Sequence, residues 1–136
     1  MLPVLLVILF GIIEVGVLAR DAAALNAVAR EGVRAAVVGA TPSAIDARIQ
    51  ISDPRLDSDQ MITLYERRSF NEQTQTFGEW TALGTSQGVN DAVNGDQIRV
   101  TLQYQHQTIT GLFPGMSDEP GGGTKTVRAS VTMRRE

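Results

Sequence analysis

His106 is the only histidine in the chain, and imidazole is the side chain most often used as a general base. No nucleophile stands at a recognisable spacing from it, so a Ser-His-Asp arrangement has no support. Asp53, Asp57 and Asp59 gather three carboxylates that could in principle surround calcium. They lack the EF-hand spacing, its central glycine and its closing glutamate, and acids beside Pro54 read better as solvated turn formers. Gly121-Gly122-Gly123 is followed by Thr124-Lys125, the reverse of the Lys-Ser/Thr order of a phosphate-binding loop, and reads as a flexible connection. Glu66-Arg67-Arg68 is a charged patch at a strand end, suited to an exposed edge or a contact between subunits. The absence of cysteine removes thiolate catalysis, disulfides and cysteine metal sites. Eleven arginines and Lys125 are scattered among fifteen acids, with a net charge of -3, so no basic stripe for nucleic acid forms. The expectation is a protein that is not an enzyme, with no cofactor, no metal and no nucleic-acid partner.

The elements around these residues explain why chemistry is sparse. Leu2 to Ala19 reads LPVLLVILFGIIEVGVLA, and Glu14 is its only ionisable side chain. As a helix these 18 residues extend about 27 Å, near the hydrocarbon thickness of a bilayer. Thirteen are Leu, Ile, Val or Phe, each worth roughly -0.3 to -0.6 kcal/mol on insertion, against about 2.5–3.5 kcal/mol for Glu14. Insertion wins. Pro3 falls in the first turn, where its missing N–H is harmless. A cleaved signal peptide fits less well, since a basic leading region and a small-x-small cleavage site are both lacking.

The helix is expected to continue past the membrane to about Val38, for a length of about 55 Å. A 3.6-residue period puts Leu18, Ala22, Leu25, Ala29, Gly32 and Ala36 on one stripe, opposite Arg20, Asn26, Arg30, Glu31 and Arg34. Small residues there let a helix or a sheet approach closely. With Gly11 and Gly16, the positions Ala22, Leu25, Ala29, Gly32 and Ala36 are the candidates for contacts between subunits. Glu14 either reaches interfacial water near one end of the span or, the favoured reading, sets register by meeting an amino-terminal ammonium or an arginine of a neighbour.

Gly39 is expected to stop the helix, with Thr41 capping and Pro42 starting a short second helix to Ile51, whose buried side would hold Ala44, Ile45, Arg48 and Ile49. Ser52-Asp53-Pro54 ends it. The period then changes to two: Met61 to Tyr65 is a strand, Asn71 to Gln75 a turn, and Phe77 to Leu83 its hairpin partner. Asn94-Gly95-Asp96 opens the clearest strand, with Ile98, Val100, Leu102 and Tyr104 on one face. A long loop covers 108–123 and contains LFPG at 112–115. The last strand turns Val127, Ala129, Val131 and Met133 inward. The predicted architecture is α+β and pilin-like: a long N-terminal transmembrane helix (1–39, spanning at 2–19) packed against a small antiparallel β-sheet head (40–136).

Three stretches carry a family resemblance. LPVLLVILFGIIEVG (2–16), AREGVRAAVVG (29–39) and VRASVTMRRE (127–136), the last preceded by GDQIRVTLQYQ (95–105) and the LFPG loop, are similar to the corresponding stretches of TadE-like pilins. These are minor pilins or pseudopilins of the tight-adherence (Flp-type) pilus machinery. Members generally carry a short basic segment, a prepilin-peptidase cleavage point and a glutamate a few residues after it, whereas residue 5 here is leucine. The resemblance implies a structural subunit, with other pilins, the inner-membrane assembly machinery and lipid as partners. It also implies homo- or hetero-oligomers, a head outside the cytoplasm, and adhesion at the cell surface. Arg20 and Arg30 on the far side of the span would by themselves favour the reverse orientation. The alternative from a different class is a membrane-anchored extracytoplasmic binding module that forms no filament.

Overall fold

The computed structural model describes residues 1–109, 117–118 and 123–136. The LFPG segment at 112–115 and Gly121-Gly122 lie outside the described residues. Helix α1 (Leu2–Val37) runs unbroken for 36 residues, as the absence of internal proline allows. It ends at Gly39, whose φ of 96° suits a residue without Cβ. Gly39 N–H donates to Ala36 O at 3.0 Å and Ala40 N–H to Ala35 O at 3.1 Å, the paired bonds of a Schellman stop. Thr41 then caps α2 (Pro42–Ser52), its hydroxyl accepting from Ala44 N–H at 3.3 Å.

Chain reversal lays α2 back along α1. The crossing is close because Gly32 has no side chain: a Cβ there would stand 3.1 Å from Ile49 Cδ1 and 3.5 Å from Ile45 Cγ2. Ile45 and Ile49 are buried, whereas Ala44 and Arg48 are exposed, so the inner side of α2 is narrower than the sequence suggests. Arg48 instead reaches across the outside to Glu31 at 3.1 Å.

The main sheet has the order β4-β1-β7-β8, all antiparallel neighbours, built from β1 (Met61–Arg68), β4 (Thr81–Ala82), β7 (Gln97–Gln107) and β8 (Thr124–Arg134). Two minor ribbons pair β2 (Phe70–Asn71) with β3 (Thr76–Phe77) and β5 (Thr85–Ser86) with β6 (Val89–Asn90). The expected return strand over 77–83 is thus divided: Phe77 pairs with Phe70, and only Thr81-Ala82 pairs with β1. Ile98, Val100 and Leu102 of β7 are fully buried, with Ala129 of β8, against Leu25, Val28, Ala29, Val33 and Ala36 of α1. Each element offers one apolar side, and stacking sheet on helix removes both from water.

Strand β1 breaks the simple rule. Its aliphatic residues Ile62 and Leu64 face outward, 61% and 45% exposed, while Met61, Thr63 and Tyr65 turn inward. A polar acceptor on α2 accounts for this. Asp46 accepts hydrogen bonds from the Thr63 hydroxyl at 3.1 Å and from the Tyr65 phenol, tying the second helix to the sheet. Burial first, and then this bond to Asp46, push the Tyr65 phenol well above its usual range. A raised folded-state pKa means that the stability Tyr65 contributes is complete below about pH 10 and is lost as pH climbs toward the folded value. Denaturant midpoints are therefore expected to fall above about pH 10. Tyr65→Phe should flatten that alkaline limb; an equally steep limb in the variant would assign it elsewhere.

Among the described residues, the outer side of the sheet is covered by aromatic rings and guanidinium groups rather than by a second layer. Arg99 stacks 4.0 Å above the Trp80 ring and Arg68 lies 4.6 Å from it and 4.7 Å from Phe77. Phe70 packs beside Phe77 and is met by Arg134 at 4.9 Å. Guanidinium planes on aromatic faces cover the strands there while remaining wet at the rim.

Candidate assembly surface

Helix α1 carries three different surfaces along its length. From Leu2 to Ile13 its large aliphatic residues are exposed, among them Leu5 at 65%, Ile8 at 58% and Ile12 at 66%. Among the described residues this rod is left largely uncovered, and the helix that carries it, Leu2–Val37, is long and apolar enough to cross a membrane. From Leu25 to Ala36 the stripe is taken. Leu25, Ala29, Gly32 and Ala36 are buried against the head's own sheet and α2, so this part of the proposed subunit contact is an internal core. Ala22 is half-buried, Gly11 is half-buried, and Gly16 is exposed with nothing within 4 Å of where a Cβ would stand. Those three, and not the buried four, remain available to a neighbour.

Between the two zones lies a polar joint. Glu14 is only 2% exposed, held inside the chain's own fold, so a neighbour's cation reaches it only if that cover moves. One helical heptad further on, Asp21 is 8% exposed, and its Oδ2 stands 2.7 Å from His106 Nδ1. Asp21 Oδ1 accepts from Arg20 Nε and Nη2 at 3.2 and 2.9 Å. His106, 4% exposed at the lower end of β7, is thereby a strut between sheet and helix. The sequence contained a signal for it: Glu14, Leu18, Asp21, Leu25 and Val28 share one stripe, so an acid sits where an apolar residue is expected and requires a partner.

A second polar clasp closes the other end of α1. Asn90 is 2% exposed; its amide donates to Ala36 O at 2.6 Å and Ala40 O at 2.9 Å, and its backbone N–H to Gly39 O at 3.0 Å. Its side-chain oxygen accepts from Arg135 Nη1 at 2.8 Å, so the end of the chain is fixed there too. Helix-end carbonyls need such donors when they are buried.

Two of the three aspartates that could surround calcium have carboxylates engaged elsewhere. Asp53 receives both Arg55 Nε and Nη2 at 2.8 Å, which holds its carboxyl below the usual carboxylate range. Asp57 accepts from Asp59 N–H at 3.0 Å. Among the described residues no cluster of three or more potential metal ligands forms.

Residues 1–34 match the family described as TadE-like protein. Over this quarter of the chain the sequence is similar to that family. The match covers the exposed rod, the Glu14–Asp21 joint and most of the stripe, and it ends at Arg34 inside α1. No curated protein and no solved structure matches the chain. The TadE-like segment is therefore the part of α1 that is bare, together with the part on which the head is built.

Proposed function

We propose that the protein is a structural, non-enzymatic pilin-like subunit of a Tad-type pilus. In this reading α1 waits in the inner membrane with the head outside the cytoplasm, then leaves lipid to pack beside the helices of other pilin subunits. The resulting assembly serves surface adhesion. The observation that carries the reading is the TadE-like match over a helix whose first half is aliphatic and uncovered. Thirteen large apolar residues between Leu2 and Ala19 need a partner in any environment. At about 25 cal/mol per Å² of apolar surface buried, sibling helices can replace lipid without covalent links. Gly11, Gly16 and Ala22 are the small positions at which such helices would approach. Glu14 takes part in register only if its cover opens.

Photocrosslinkers placed at Ile8 and Ile12 in the native host test this. The expected products are adducts with pilin-type subunits, and deletion of the gene is expected to abolish pili. Crosslinks confined to lipid, with pili intact after deletion, would instead favour a membrane-anchored binding module that forms no filament.

A further inference from the structure

Burial of α1 begins inside its apolar run rather than beyond it. Glu14 is covered, yet its neighbour Val15 is 50% exposed on another side, and the run continues to Ala19. Over Glu14 to Ala19 one side of the helix is therefore protein-covered while another presents aliphatic surface. That stretch is about 9 Å long, comparable with a headgroup layer. Lipid that covers Val15 must then surround the base of the head as well.

The base has the composition for it. The end of α2 and the turn after it descend to the level of Arg20 and Ala24, forming an open groove of about 560 Å³ whose walls include Arg20, Asp53 and Arg55. The side chains of Arg20 and Arg55 are 61% and 72% exposed. Asp21 and Asp53 hold each guanidinium through Nε and Nη2; among the described residues neither Nη1 makes a bond. Ile51, in the last turn of α2, is 79% exposed, and Ile109, just past the His106 that meets Asp21, is 58% exposed. Exposed isoleucines and arginines gathered at the end of the head nearest the apolar run are the pattern of a surface lying in a membrane interface, aliphatic groups toward the acyl chains and cations on phosphate.

We propose that the base of the head, through Arg20, Ile51, Arg55 and Ile109, rests in the headgroup layer of the phospholipid bilayer that α1 crosses. The guanidinium groups meet lipid phosphates there. The proposal rests on the membrane-spanning part of the reading above and is independent of the filament.

The chain has no cysteine, so single labelling sites can be introduced cleanly. Full-length Ile51→Cys, Ile109→Cys and, as a reference at the far end of the head, Ser86→Cys carry a fluorophore in nanodiscs holding one chain each. Nitroxide-headgroup phospholipid and aqueous iodide serve as quenchers. Labels at 51 and 109 are expected to be quenched several-fold more by the lipid nitroxide than the label at 86, and to be shielded from iodide. Adding Arg20→Gln and Arg55→Gln should reduce the lipid quenching at 51. Labels at 51 and 109 that behave like the label at 86 overturn the proposal, as does iodide shielding seen only when several chains share a disc, which would give the base to a neighbouring copy. Failure of the chain to float with lipid sinks the span reading along with the proposal, whereas flotation with water-exposed labels sinks the proposal alone.

Discussion

Asn90→Ala is expected to destabilise the head by about 3 kcal/mol, because it strips donors from buried helix-end carbonyls rather than removing a simple contact. Ala36 O and Ala40 O lose the side-chain amide, and Arg135 loses its acceptor at 2.8 Å. Water cannot easily replace the amide where the residue is 2% exposed. Asn90→Asp sharpens the expectation. It keeps an acceptor for Arg135 but turns a carboxylate toward the negative end of the α1 dipole, so it should be at least as damaging as alanine. Urea unfolding of the full chain in mild detergent, followed through Trp80, measures both. An Asn90→Asp variant with wild-type stability would show that the clasp contributes little.

The second large effect concerns the rod. Placing arginine at both Leu9 and Ile12, which are 46% and 66% exposed, is expected to prevent stable membrane integration. The two charges cost about 5–7 kcal/mol, whereas the eleven aliphatic and aromatic residues that remain together supply only about 3–7 kcal/mol. The balance is reduced further by Glu14, although its enclosure by protein spares it part of the cost of meeting hydrocarbon. Extraction with alkaline carbonate gives the readout: the double variant should appear in the supernatant, and a Leu9→Ala, Ile12→Ala control in the pellet. Retention of the arginine variant in the membrane would mean that this stretch is not what holds the protein there.

Much of the architecture was legible because it follows from local rules. The unbroken period from Leu18 to Ala36, the Gly39 stop, the Thr41-Pro42 start, the Asn94-Gly95-Asp96 turn and the inward faces of β7 and β8 each announce themselves within a few residues, apart from Met133, expected inward but 39% exposed near the end of β8. Features set by partners distant in sequence did not. The inverted faces of β1 depend on Asp46, which lies on another element, and the division of 77–83 depends on Phe70 offering a nearer partner than β1. Which of the small-residue positions of α1 are buried within the chain was not legible. Spacing alone groups Leu25, Ala29, Gly32 and Ala36 with Gly11, Gly16 and Ala22, and only the packed sheet separates internal core from open surface. His106 shows the same limit. Read alone, it invites a search for a nucleophile; placed against Asp21, it is a tie between sheet and helix. A phenotype from His106→Ala would therefore report lost anchoring as readily as lost chemistry.

The clasps at Asp21–His106 and at Asn90 sit at opposite ends of the length of α1 that the sheet covers. If the chain is built into the proposed fibre, a pull along its axis would load these fastenings together with the aliphatic core between them, in shear. Traction on the head would pass into the rod as into a splint bound at both ends.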